Sequence, residues 1–388
     1  MDVRRGEIML TFQINATSIQ ESNLFLRKLW SELNQIHPMG WNMYPYRDGN
    51  KITIGTSTLG EISFDYKQRG CINKLYIDNK QNTEEISAAV QRAKENSMKT
   101  FSVSFELENR KEISISDVSF GSCEIFTLDG KVFLRCNFEA YSAWDVEMFL
   151  PNKYASILSI IYEYTNVLFD ISKIQFAEGS LEITESEMRE YNYRWIDFDE
   201  CPQLENDYVI LPRECLLLIS YVLDDNCYDE DIELLINSSR VLLTTKRMLE
   251  EIEFPYSSWK ADIINSMACS SLEPLSLILD KSNERCKECG NMIFSINKKI
   301  KKMCTRYFDE NFAKYVSDVI YKCRSAFLHM GQPESTQRSS KIFCPQINET
   351  SGMVMMPHGM VRDVVFDYSS FLFRNIAHDY FSGTIYSE

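Results

Sequence analysis

Two hydrophobic periods divide this chain. Over roughly the first 150 residues the apolar positions recur every second residue, the spacing of half-buried strands. "NKITIGTSTLGEISFDY" and "CEIFTLDGKVFLRCNF" are alternating runs broken by glycine. In the second, Asp129-Gly130 predicts a type I′ hairpin, because both central turn positions need positive φ. Two helical stretches interrupt the strands. "SIQESNLFLRKLWSELNQIH" opens with Ser18 and carries Glu21 three residues later, the spacing of a capping box. "NTEEISAAVQRAKENSM" is capped from Asn82 or Thr83.

A transition follows. "ASILSIIYEYTNVLFDI" fits a helix or a strand, and "EGSLEITESEMREYNYRWIDFDECPQLEND" is acidic, aromatic and poorly periodic. The boundary is therefore placed between Phe176 and Asp207. Beyond it the spacing turns to three and four residues and predicts about six helices, from "LPRECLLLISYVLDD" to "GMVRDVVFDYSSFLFRNIAHDYF". The expected fold class is α+β: a strand-rich mixed N-terminal domain over residues 1–190, then an all-α bundle over 208–388.

Composition adds limits. Hydrophobic content of 44% and charged content of 25% are those of an ordinary folded protein. The longest apolar run, "LLLISYVL", is far short of the roughly 18 residues that cross a bilayer, and "MDVRRGEIML" lacks a signal-peptide core. The expectation is a soluble cytoplasmic protein with no membrane partner, whose twelve cysteines are mostly buried reduced thiols.

The net charge of −15 argues against a general nucleic-acid coat. Residues 281–330 depart from that average, with 11 Lys and Arg against 5 Asp and Glu, which points to an anionic partner. Within this segment Lys298, Lys302 and Arg306 are spaced by four. They form either a positive row suited to an RNA backbone or a solvated face opposite Ile296, Ile300 and Met303.

The same basic segment contains "YKCRSAFLHMG". An apolar stripe runs through Phe312, Tyr315, Val316, Val319, Ile320, Cys323 and Phe327, and Arg324 continues it. A guanidinium withdrawn from water keeps its proton, so Arg324 should meet a carboxylate or a bound anion. Glu273 is the carboxylate candidate, although Pro274 directly after it disfavours helical geometry there. His329 lies five residues beyond Arg324, rotated by about 140° on an ideal helix. Either the helix ends just before the histidine, as Gly331 at C′ would favour, or the two groups meet across a subunit interface.

Arg324-Ser-Ala-Phe-Leu-His329, late in a helical bundle, resembles the R-x(4–6)-H signature of HEPN domains, and is most similar to the Apea-like HEPN branch. The resemblance covers about Tyr208 to the C-terminus. It implies a metal-independent endoribonuclease, a regulated anti-phage or toxin effector whose protomers pair into one composite cleft. His329 would be the general acid and base, and Arg324 would hold the scissile phosphate. Glu273 and Ser325 complete the candidate site, and Ser325 stands where catalytic members often carry Asn, Asp or His. The implied partners are RNA, a second copy of the chain, and a phage or host trigger sensed by the N-terminal domain. The alternative is a non-catalytic HEPN-like module that binds RNA, a nucleotide or a protein. A purely structural dimer subunit is the third reading.

Two further constellations stand out. Cys286 and Cys289, in a cysteine-rich loop at 284–290, are half of a zinc knuckle, and Cys344 and His358 are candidates to complete a structural zinc site. No cofactor is expected for catalysis. Arg374 and His378, at i and i+4 on the last helix, are the rival active-site pair, with helix-surface or interface structure as the plainer reading.

Overall fold

The computed structural model describes residues 8–37, 42–49, 51–79, 83–186, 193–196, 204–205, 208–224, 228–251, 258–281, 296–330, 346–347, 352, 354–355 and 361–385. Two compact units form. The first comprises Met1–Ser102, Asn137–Pro151 and Phe176–Leu181, and the second Val103–Cys136, Asn152–Gln175 and Glu182–Glu388.

In chain order the elements begin with β1 (Ile8–Gln13), α1 (Ile19–Ile36), β2 (Asn42–Asp48), β3 (Lys51–Ser57), β4 (Gly60–Gln68), β5 (Cys71–Asn79) and α2 (Thr83–Glu95). The strands make an antiparallel sheet of order β1-β5-β4-β3-β2. The alternation read in the sequence turns Ile62, Leu75 and Ile77 to one face, where they pack against Leu29 and Leu33 of α1 and Val90 of α2. Ser18 caps α1, its hydroxyl accepting from the Glu21 amide at 3.0 Å. The return half of the expected capping box is displaced by one residue. The Glu21 carboxylate accepts from the Thr17 amide and hydroxyl, both at 2.7 Å, because Thr17 offers two donors to one acceptor.

A second group of elements follows: β6 (Lys99–Asn109), β7 (Ser114–Ile115), β8 (Val118–Phe120), β9 (Cys123–Leu128), β10 (Lys131–Ala140), α3 (Ala143–Thr165) and β11 (Phe169–Glu178). They include a sheet of order β11-β6-β10-β9-β8. The Asp129-Gly130 turn joins β9 to β10 with φ of 51° and 75°, the geometry the dipeptide predicts. The run left open between helix and strand is both. It is helical to Thr165 and extended from Phe169, with Asn166 at φ 50° between them.

The remaining elements are β12 (Leu204–Glu205), β13 (Tyr208–Val209), α4 (Arg213–Leu223), α5 (Glu230–Glu250), α6 (Ser258–Ser270), α7 (Leu272–Leu279), α8 (Ile296–Tyr307), α9 (Glu310–Lys314), α10 (Tyr321–Met330), β14 (Gln346–Ile347), β15 (Val354–Met355) and α11 (Val361–Phe381). The C-terminal half is thus helical, as the three-to-four spacing requires, with two short strand pairs that apolar spacing did not reveal. One expected helix, "WKADIINSMACSSLEPLSLIL", is two, parted at Ser271. Buried Ser159 of α3 and Ser239 of α5 share a hydrogen bond of 2.8 Å, and Lys153 donates to the last carbonyls of α4 at Val222 and Leu223. Among the described cysteines, six are free and buried, and burial pushes the thiols of Cys123, Cys136 and Cys304 up to about 12.

Ser18→Ala removes the α1 cap and is expected to cost about 1 kcal/mol. The reading is a lower urea midpoint at unchanged slope; an unchanged midpoint would show that the cap contributes nothing.

Candidate functional site

The helix that carries Arg324 is assembled in pieces. Asp309 caps α9, its carboxylate accepting from the amides of Asn311 and Phe312. The chain then widens into a π-helical segment, Tyr315–Ile320, before α10. A wider turn advances the side chains less per residue, so the buried stripe moves off the expected positions. Ala313, Val316, Ser317, Ile320 and Tyr321 are buried, whereas Phe312 and Tyr315 of the expected stripe are only half-buried.

Arg324 stays on the inner side and meets the carboxylate its burial demands. Its Nη2 lies 2.6 Å from Glu273 Oε1, with side-chain exposures of 13% and 27%. Pro274 does not divert Glu273. In the first turn of α7 the amide that proline lacks has no intrahelical acceptor in any case, so the helix forms around it. Arg324 Nε donates to Ser270 Oγ at 3.3 Å, and Nη1 stands 3.5 Å from the Tyr321 hydroxyl. Tyr321 in turn donates to Glu273 Oε1 at 2.7 Å. Burial and then the Glu273 carboxylate push the Tyr321 hydroxyl well above its ordinary range, so it remains a donor. Tyr321 was not among the residues singled out from sequence; its i−3 spacing from Arg324 was the available signal.

His329 corrects one expectation. α10 continues through Met330, so the helix does not end ahead of the histidine. His329 is exposed in the last turn, flanked by exposed Leu328 and Met330, while Arg324 turns inward one and a third turns earlier. Ser325 is half-buried on the same helix.

The basic row on α8 is partly committed to structure. Arg306 Nη2 pairs with Asp379 at 3.2 Å and donates to the Thr384 carbonyl, while Nη1 donates to that of Ile385, tying α8 to the chain after α11. Lys302 lies 3.5 Å from Asp280, and Lys298 is exposed. Cys286, Cys289, Cys344 and His358 lie outside the described residues. Among the described residues no group of three or more metal-ligating side chains occurs.

The rival pair is not helix-surface structure. Arg374 is 1% exposed. Its Nη1 donates to the Glu163 carbonyl at 2.8 Å, Nη2 to the Trp195 carbonyl at 2.5 Å and Nε to the Tyr193 carbonyl at 3.4 Å. The Trp195 ring lies 3.5 Å from the guanidinium carbon. His378, one turn on, stacks on Tyr193 at 3.9 Å and bonds Glu214 through Nδ1 at 2.9 Å. Sequence spacing could not show this, because the acceptors are backbone carbonyls from segments distant in the chain.

The same region holds a carboxylate that sequence reasoning missed. Glu163 sits in the apolar run of α3, is 1% exposed, and neither of its oxygens makes a hydrogen bond of ordinary geometry. Burial pushes its carboxyl up to about 7, against weaker opposing influences of the Ser370 hydroxyl and the Arg374 charge. The signal available was a single acid inside "SIIYEYTNVLF".

No protein-family model matches the chain, and no curated protein or solved structure is similar to it at a significant level.

Arg324→Ala leaves Glu273 and Tyr321 without their cation and is expected to cost about 2 kcal/mol in urea melts. Loss of less than a few tenths would mean that solvent already screens the pair. The folded state holds the Glu163 proton more tightly than the unfolded chain, whose carboxyl titrates near 4.5. Stability is therefore expected to fall as pH rises from about 4.5 through about 7 and to level off above, by on the order of 3 kcal/mol. Glu163→Gln should flatten that slope, and parallel pH profiles for the two proteins would refute it.

Proposed function

We propose that the chain is a metal-independent endoribonuclease of HEPN type, acting as paired protomers in defence or as a toxin. The observation that carries this reading is Arg324, held by Glu273, Ser270 and Tyr321 on the helix that presents exposed His329. A fixed guanidinium loses little orientational freedom when a phosphate arrives. Of its nitrogens Nη1 is the least committed, at 3.5 Å from Tyr321, and it is the one a phosphate oxygen would take. The exposed apolar pair Leu328 and Met330 gives a second protomer something to bury beside His329. The basic excess in residues 281–330 favours an RNA ligand.

In this mechanism the imidazole of one protomer's His329 takes the 2′-OH proton as the 2′-oxygen attacks the neighbouring phosphorus. The P–O5′ bond breaks, the leaving oxygen takes a proton from the His329 imidazolium, and the products carry a 2′,3′-cyclic phosphate and a 5′-OH. Arg324 stabilises the added charge on the phosphorane. Ser325, the next residue, would touch the same phosphate in this reading. The trigger that releases the activity, of phage or host origin, is assigned to the N-terminal part of the chain.

One observation favours the second reading, a non-catalytic module that binds RNA, a nucleotide or a protein. All three guanidinium nitrogens of Arg324 already have partners within the chain.

His329→Ala is expected to slow RNA cleavage in EDTA about 10²–10⁴-fold, with cyclic-phosphate ends on the wild-type products. His378→Ala should leave the rate unchanged. Cleavage that survives the loss of His329 would reject the assignment, and cleavage lost only with His378 would transfer it to the rival pair.

A further inference from the structure

We propose that the first unit binds a guanine-type nucleotide in the cleft bounded by α1, the start of α3 and the end of β11. This proposal stands independently of the nuclease reading. The cleft has a volume of about 530 Å³, within the range of small-ligand sites. All of its lining residues belong to the first unit.

Three kinds of chemistry meet there. The walls are aromatic: Phe101 is buried, Phe176 meets it edge-to-face at 6.5 Å, and Trp144 lines the same space. Such faces suit a flat ring. On the floor lies Glu32, whose side chain is 7% exposed. Arg92 Nε donates to its Oε2 at 2.7 Å and Asn96 Nδ2 to its Oε1 at 3.0 Å, so each oxygen is fixed in place and keeps a further lone pair. Asn96 also lines the cleft, and its spare amide oxygen adds an acceptor. The floor therefore asks for a ring edge that carries donors.

The third component is the start of α3. The first intrahelical bond runs from the Val146 amide to the Ser142 carbonyl, so the amides of the lining residues Ala143 and Trp144 precede it and have no intrahelical acceptor. Lys99, paired with Glu178 at 3.0 Å, stands at the mouth. The helix start favours an anionic group at the opposite end of the ligand from the carboxylate, where Lys99 would exchange part of its pairing with Glu178 for that group.

A guanine base meets these demands together. Its ring N–H and exocyclic amino group are adjacent donors on one edge, which a carboxylate accepts side by side. The corresponding edge of adenine carries ring acceptors that the Glu32 oxygens would repel. A phosphate on the ribose then lies toward the α3 amides and Lys99.

The test is calorimetric titration of the full chain with guanosine monophosphate, guanosine and adenosine monophosphate, up to about 1 mM each. Guanosine monophosphate is expected to bind saturably and at least about tenfold more tightly than the adenine nucleotide. Phe176→Ala, at the half-buried wall, should weaken it about tenfold while leaving the melting temperature in place. Glu32→Gln should erase the preference over adenine, and its thermal melt shows whether the unit is intact. Guanosine binding as tightly as its phosphate would retain the ring contacts and remove the anionic end from the proposal. No heat with any of the three, equal affinity for the two bases, or binding untouched by Phe176→Ala in a folded protein would overturn it.

Discussion

A guanidinium that has left water and cannot lose its charge governs the second unit. Arg374 meets this demand with main-chain acceptors. Backbone carbonyls of Glu163, Tyr193 and Trp195 accept its protons, and the Trp195 ring covers its face. The consequence is long-range order. Tyr193 and Trp195, within the described residues 193–196, are tied to α11, and so is α3 through Glu163. Removing the cation would leave two buried carbonyls and a part-buried one to find other donors, a larger loss than the hydrogen bonds alone.

Glu163 makes sense in that setting. Its carbonyl serves Arg374 while its carboxyl stays in the apolar interior, so the residue is bound by its backbone and desolvated by its side chain. A proton bound at a pH near neutrality costs less than a second unpaired charge would. The nearby cation softens the penalty but does not remove it.

Arg324 shows the other way to keep a cation out of bulk water. It is partly exposed, it has a true counter-charge in Glu273, and Tyr321 and Ser270 complete its coordination. That difference separates the two arginines by exposure and by the chemistry of their partners. Arg374 is 1% exposed and donates to the main-chain oxygens of Glu163, Tyr193 and Trp195. Arg324 sits near the surface on a helix that ends in a solvent-facing imidazole, with one weakly committed nitrogen. The π-helical segment ahead of α10 fixes this arrangement, because it sets which side chains of the helix face inward.

The hydrophobic spacing, the Asp129-Gly130 turn, the Ser18 cap and the need of Arg324 for a carboxylate were all legible in the sequence. Each is a local or one-body requirement: strand and helix periods, the φ demanded of a turn, the desolvation of a guanidinium. Glu273 could be named as that partner through the resemblance of the helical half to HEPN domains, on the helix upstream of Arg324. The break at Ser271, the π-helical segment and the continuation of α10 past His329 were not legible, since propensities for these states differ little from those of plain helix. The burial of Arg374 and Glu163 was decided only by the tertiary structure. The partners of Arg374 are carbonyls of α3 and of residues 193–196, and a carbonyl carries no sequence signature; Glu163 is desolvated by the apolar packing around α3. The cleft of the first unit belongs to the same class: Glu32, Phe101, Trp144 and Phe176 converge only when four separated segments pack.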